Sequence, residues 1–156
     1  MRTFSRSAGS LGIMFSVFIA DESIKKAVNL RADKGHDKKI LREKLIITRS
    51  INKGFSMNRF DDRPDVVAAV SAGLTTFFLL RLMDLAFDKN DKGYLKLFSL
   101  ALMTGGALSN TYDRVFKGGV TDYISLNVKD KRIRGKVFNL SDIAIVTGSL
   151  MNIAGA

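Results

Sequence analysis

The chain has 156 residues, 46% of them hydrophobic and 26% charged, which fits one folded domain and not a disordered chain. It has no cysteine and one histidine, His36, so a disulfide framework, a thiolate metal site and a cysteine nucleophile are excluded. Lys and Arg number 25 against 15 acids, a net charge of +10 that calls for an anionic partner, either nucleic acid or an anionic membrane surface.

The apolar residues fall in four blocks. The first, Leu11 to Ala20, follows Arg2, Arg6 and a run of small residues. It looks like a secretory signal, but Asp21 and Glu22 follow Ala20 with no small-x-small cleavage site, so it reads as a retained helix. A polar segment follows, 21–65. Within it Lys44 to Ile51 alternates and is β-branched, which predicts a strand, and Asn52 to Gly54 predicts a turn. The second block, Val66 to Leu80, carries no charge and extends to Phe87 past Arg81 and Asp84. Its only polar side chains are Ser and Thr, where a soluble bundle helix shows a polar stripe. Asn90 to Gly93 predicts a turn before the third block, Leu97 to Leu108. Thr121 to Val128 alternates and predicts a second strand, and two such strands make a small sheet at the membrane surface. The fourth block, Val137 to Ala156, has one charge, Asp142. A spanning helix needs roughly 20 apolar residues. The second and fourth blocks reach that length by themselves, the first and third only with polar flanks.

An acid inside an apolar helix is expensive and marks a candidate site. Asp142 lies three residues after Asn139, and the plainer reading of that pair is a helix cap. Asp21 and Lys25 stand at i, i+4 spacing, for which an ordinary surface ion pair is the plainer reading. His36 lies in a charged turn and is assigned no role.

Two longer motifs bear on these residues. Gly105, Gly106, Ala107, Asn110, Asp113, Arg114, a glycine at 118 or 119, Val120 and Asp122 follow one another in one segment. Phe138, Asn139 and Asp142 form the second. Together they resemble the third- and fourth-helix signatures of the lipoprotein signal peptidase family, signal peptidase II. Asp21 with Lys25, and Asn52 with Gly54, resemble its weaker first-helix and first-loop motifs. Ser141 departs from the usual Ala, and Phe55-Ser56-Met57 from the usual Ala-Ala-Phe, which bears on substrate fit.

The resemblance implies a mainly α fold: a bundle of four transmembrane helices with a small extracytoplasmic β-sheet, one peptidase domain over residues 1–156. It implies a membrane aspartyl endopeptidase that removes the signal peptide from diacylglyceryl-modified prolipoproteins. The catalytic pair falls on Asp122 and Asp142. Asn52, Gly54, Asn110, Arg114, Asn139, Asp21 and Lys25 fall in binding or supporting positions. Asp113 and Arg114 read equally well as structural caps, and Gly105 and Gly106 as points of close helix approach.

No metal or cofactor is expected, and neither is nucleic acid. Lipidated prolipoproteins and anionic lipids are the expected partners, and a monomer the expected state. The alternative is a non-catalytic membrane protein of the same fold that binds lipidated peptides or membrane helices. The family's orientation, with both termini in the bacterial cytoplasm, sets 19 of the 25 basic residues outside the inner membrane, against the positive-inside rule.

Overall fold

A computed structural model describes residues 2–32, 38–40, 44–55, 59–88, 93–128, 130 and 135–155. His36, residues 90–92 of the expected turn, Ser56 and Met57 lie outside them. The fold is mainly helical: α1 (Arg2–Ala32), α2 (Pro64–Phe87), α3 (Tyr94–Tyr112) and α4 (Leu140–Ala154) stand with a sheet of β1 (Lys38–Ile40), β2 (Leu45–Asn52), β3 (Val120–Leu126) and β4 (Val137–Phe138). The sheet order is β1-β2-β3-β4, antiparallel throughout.

The helices bury small polar side chains beside an apolar core of Met14, Leu82, Ala86, Leu97, Leu100 and Ala101, and their outer faces are apolar. Ser7, Ser10, Ser71, Thr75, Ser99, Thr104 and Ser109 are buried. Val66, Val70, Leu74, Phe77 and Leu80 form an exposed apolar stripe on α2, as do Ile143, Val146, Leu150 and Ile153 on α4. The spacing of three and four residues puts each stripe on one helical face. A water-soluble bundle buries such a face, whereas lipid solvates it. Two helical segments, Arg6–Arg31 and Pro64–Phe87, are long and apolar enough to cross a bilayer.

The elements depart in several places from the apolar blocks and strands that the sequence shows. α1 runs on past the apolar block that ends at Ala20, through Asp21 and Lys25, to Ala32. Its inward stripe continues too, through Met14, Asp21, Lys25 and Val28, all buried. The fourth apolar block is not one helix of 20 residues. Its first residues form β4, and α4 has 15 residues, about 22 Å at 1.5 Å per residue, short of the roughly 30 Å hydrocarbon core. The sheet has four strands where two were expected, because the three-residue β1 and two-residue β4 are too short to leave an alternating pattern.

The helix α3 lies at the centre, against α1, α2 and α4. Glycine permits the approach. A Cβ on Gly105 would sit 2.6 Å from the Met14 carbonyl oxygen of α1, and one on Gly106 2.5 Å from the Ser141 carbonyl oxygen of α4. Past Tyr112 the helix widens into a π-helical turn, Asp113–Lys117, which Gly118 ends in the left-handed region at φ 74°.

In β2 the register against β3 shifts between Ile47 and Ser50, so one extra residue bulges from β2. Ser50 then stands opposite Asp122, and Asn52 opposite Val120.

The close helix contacts predict a contrast between two Gly→Ala substitutions. Gly106→Ala pushes against α4 backbone and is expected to cost about 1–3 kcal/mol. Gly73→Ala meets nothing within 4 Å and is expected to be neutral or stabilising by up to about 1 kcal/mol. Thermal unfolding in detergent checks both; equal effects contradict the packing.

Candidate active site

Strand β3 is the wedge on which the site is built. Its residues alternate between two sides, as strand geometry requires. Asp122 turns to a cavity of about 580 Å³ that Asp142 also lines, with Asn52, Asn110, Arg114 and Lys136. Thr121 and Tyr123 turn the other way. Thr121 Oγ1 accepts from Asn29 Nδ2 at 3.4 Å, and the Tyr123 hydroxyl donates to Asp21 Oδ1 at 2.8 Å.

Asn139 ties the two acids together. It is the N-cap of α4 and Asp142 is the third residue of that helix. Asn139 Oδ1 accepts from the Asp142 backbone N–H at 2.8 Å, and Asp142 Oδ2 accepts from the Asn139 N–H at 3.2 Å. This is a capping box with Asp in the acidic position. The capping reading is therefore correct, and it does not exhaust the residue. Asn139 Nδ2 donates to Asp122 Oδ1 at 2.7 Å and to Asn110 Oδ1 at 3.2 Å. Asn110 Nδ2 donates in turn to Asp142 Oδ1 at 3.0 Å. Asn52 Nδ2 lies 3.4 Å from Asp122 Oδ2.

Burial, and then the Asp142 charge, push the Asp122 carboxyl from its usual range up to about 7; the Asn52 and Asn139 donors pull against them. Arg114 reaches the Gly54 carbonyl at 3.2 Å and its own Asn110 carbonyl at 3.4 Å, so it joins the turn after β2 to α3 on the rim of the cavity. The expected turn at Asn52 to Gly54 is present, with the Gly54 N–H donating to Asn52 Oδ1 at 3.1 Å.

Asp21 and Lys25 are not a surface pair. Both are fully buried. Lys25 Nζ lies 2.7 Å from Asp21 Oδ2 and 3.0 Å from Asp113 Oδ2, and it donates to Ser109 Oγ at 3.0 Å and Asn110 Oδ1 at 3.4 Å. Asp21 Oδ2 also accepts from Ser109 Oγ at 2.7 Å and Ser141 Oγ at 2.6 Å. Asp113 accepts from the Thr121 N–H at 3.1 Å and pairs with Lys117. The structure thus joins every candidate residue in two connected layers, the carboxamide–carboxylate layer at the cavity and the ionic layer behind it.

Sequence reasoning missed Tyr123, Ser109, Glu22 and Lys117. Ser109 was visible in principle, four residues from Gly105 and so on the α1-facing side. Ser141 is fully buried and bonds Asp21; it does not line the cavity. Its departure from Ala therefore adds a bond to the ionic layer and leaves the shape of the cavity wall alone.

The geometry defines an enzyme-like site of paired acids at one end of a helical bundle whose outer face is apolar. Two solved structures share the fold, both described as bacterial membrane enzymes obtained by the in meso method. The one at 2.3 Å resolution has a TM-score of 0.76 and 23% identity, covering 94% of this chain and 86% of that one. The one at 1.9 Å has the same TM-score and 22% identity, covering 94% and 91%. A lipoprotein signal peptidase of Clostridium acetobutylicum is 34% identical over 118 residues, 76% of this chain and 73% of that protein. One of Pelodictyon phaeoclathratiforme is 29% identical over 146 residues, 89% and 84%. One of Francisella tularensis subsp. novicida is 40% identical over 62 residues, 40% of this chain and 37% of its own length. The signature of the family described as Signal peptidase (SPase) II matches residues 13–155. The chain belongs to the signal peptidase II family, a family of membrane-bound proteases, as its third- and fourth-helix motifs implied.

The buried ionic layer predicts unequal responses to loss of a cation. Lys25→Met leaves Asp21 and Asp113 buried with fewer countercharges and is expected to cost about 3–5 kcal/mol. Arg81→Met removes the exposed Arg81–Asp84 pair and is expected to cost about 0–1 kcal/mol. Unfolding in detergent measures both, and a small loss for Lys25→Met contradicts the assignment.

Proposed function

We propose that this signal peptidase II family member removes the signal peptide from diacylglyceryl-modified prolipoproteins, with Asp122 and Asp142 as the pair that activates water. The observation that carries the reading is the shared cavity: both acids line it, and one residue, Asn139, bonds both carboxylates, Asp122 through its carboxamide and Asp142 through its backbone N–H.

Two carboxyl groups so placed do not ionise together cheaply. With one proton between them, the ionised group takes a proton from water as the water attacks the scissile carbonyl carbon. The protonated group donates to the carbonyl oxygen. Collapse of the tetrahedral intermediate breaks the C–N bond, and a proton passes to the leaving nitrogen. The titration belongs to the pair, and no fixed owner of the proton is needed. Asn52 and Asn110 hold the carboxylates in orientation, and Arg114 braces the turn at Gly54 over the cavity rim. The residues suffice for this chemistry without a metal.

The four helices span the bilayer in this reading, α4 being completed at its outer end by β4 and the sheet. The dyad faces the extracytoplasmic side of a bacterial inner membrane, and the basic loops there meet anionic lipid. The protein acts as a monomer.

Asp122→Asn and Asp142→Asn are each expected to lower cleavage of a diacylglyceryl-modified peptide by roughly 10²–10⁴-fold. Cleavage by either variant at the wild-type rate contradicts the dyad, and an inactive wild type favours the non-catalytic alternative.

The raised Asp122 pKa fixes the sign of a pH effect. Its folded value of about 7 lies above the ordinary 3.8, so folding favours the protonated acid. Stability from this group is full below the unfolded value and is lost as pH rises through the folded one. Activity is expected to fall over the same upper limb, near neutral pH, as the pair loses its proton. Asp122→Asn is expected to abolish that pH-dependent change in thermal stability.

A reporter active only outside the membrane, fused to the C-terminus, is expected to stay silent. A strong external signal reverses the orientation.

A further inference from the structure

A second groove lies on the other side of the sheet from the acid pair and shares no lining residue with it. It has a volume of about 710 Å³ and is bounded by α1, β2 and the end of α3. Neighbouring residues of β2 divide between the two spaces: Ser50 lines the cavity of the acids, and Arg49, from the bulge, lines this groove.

The groove is graded in polarity. Its lower wall is Phe18, Ile19 and Tyr112, with the Phe18 and Tyr112 rings edge-to-face at 5.8 Å. Ile19 is 58% exposed, and Phe116, its ring tilted against Tyr112 at 5.0 Å, is 73% exposed. Its upper wall carries Lys26, Arg49 and Lys117. Lys117 is spent, paired with Glu22 at 2.6 Å and with Asp113. Arg49 donates Nε to Asn29 Oδ1 at 2.7 Å, which aims the guanidinium while its terminal nitrogens take no partner among the described residues. Lys26 is exposed and likewise has no hydrogen-bond or ion-pair partner among the described residues. The groove therefore holds two uncompensated cations directly above an exposed aromatic and aliphatic wall.

We propose that this groove binds the headgroup of an anionic phospholipid. Lys26 and the terminal nitrogens of Arg49 take the phosphate oxygens, since guanidinium and ammonium groups both make charge-assisted bonds to phosphate. Ile19, Tyr112 and Phe116 line the path of the acyl chains. Tyrosine and cationic side chains at one level are what the boundary of a bilayer selects. The assignment rests on the reading that these helices span a membrane. It gives part of the basic excess on this side of the molecule a specific ligand in place of a diffuse attraction.

Native mass spectrometry of the whole protein tests it, after extraction from vesicles of phosphatidylcholine and phosphatidylglycerol in equal amounts. The wild type is expected to retain one phosphatidylglycerol in preference to phosphatidylcholine. The Lys26→Gln/Arg49→Gln double variant is expected to retain it about thirtyfold less, from about 1 kcal/mol per cation near the surface. Lys26→Arg/Arg49→Lys is expected to restore retention, and Lys38→Gln/Lys44→Gln, which removes the same charge from the sheet, to leave it unchanged. Lys26→Gln alone serves if the double variant melts early, with about a fivefold loss expected. Equal retention of the two lipids, or equal losses in the two Gln pairs, overturns the proposal. The readout is bound lipid and not cleavage, so a negative result here and a failure of the acid pair are separate outcomes.

Discussion

The helix cap of α4 is the constraint on which the site depends. Asn139 and Asp142 satisfy each other's backbone N–H groups at the helix start, as many capping pairs do. Here the cap has a second task, because the carboxamide that closes it also donates to Asp122 on β3. The Asp142 carboxylate cannot swing away from Asp122 without giving up its bonds to the Asn139 N–H and to Asn110 Nδ2, and the Asp122 backbone is fixed by the pairing of β3 with β2. The two acids are thus held on one cavity by hydrogen bonds from Asn139 and Asn110. In the proposed mechanism, a proton held between the two acids relieves their mutual repulsion.

Behind this layer, Lys25 joins two parts of the chain that sequence separates widely, α1 and the segment from Ser109 to Asp113. Its ammonium meets Asp21 on its own helix, Asp113 in the π-helical turn and the Asn110 carboxamide. Because Asn110 Oδ1 faces Lys25 and Asn139 Nδ2, its Nδ2 is left to Asp142. The orientation of one amide thus carries the influence of a buried cation to the cavity. Tyr123 extends the link, its hydroxyl donating to Asp21 while accepting from the Leu140 N–H at the start of α4. Burial and the nearby Asp21 hold this phenol well above its usual range, so it remains a donor.

The motifs carried most of the site in the sequence. Asp122, Asp142, Asn110 and Asn139 each lie in a short, ordered motif, and hydrogen bonds join them in the structure. The ionic layer was less legible. Asp21 and Lys25 at i, i+4 spacing look the same whether the helix faces water or another helix, and only the partners Asp113 and Ser109, more than 80 positions away, decide it. Strands β2 and β3 showed their alternation. Strand β4 was hidden because Val137 and Phe138 read on into the apolar run of α4. The apolar run of α1 ends at Ala20, while the helix continues to Ala32, held by buried polar contacts that hydropathy does not register.

The central claim concerns one proton, and it is open to direct observation. Infrared difference spectroscopy across neutral pH, on the wild type and on Asp122→Asn and Asp142→Asn, reads the carboxylic acid C=O stretch. A protonated carboxyl that persists up to a midpoint near 7 in the wild type, is lost there in Asp122→Asn and titrates at lower pH in Asp142→Asn is the result the account predicts. A wild type with both groups already ionised in mildly acid solution, or a band indifferent to both substitutions, contradicts it.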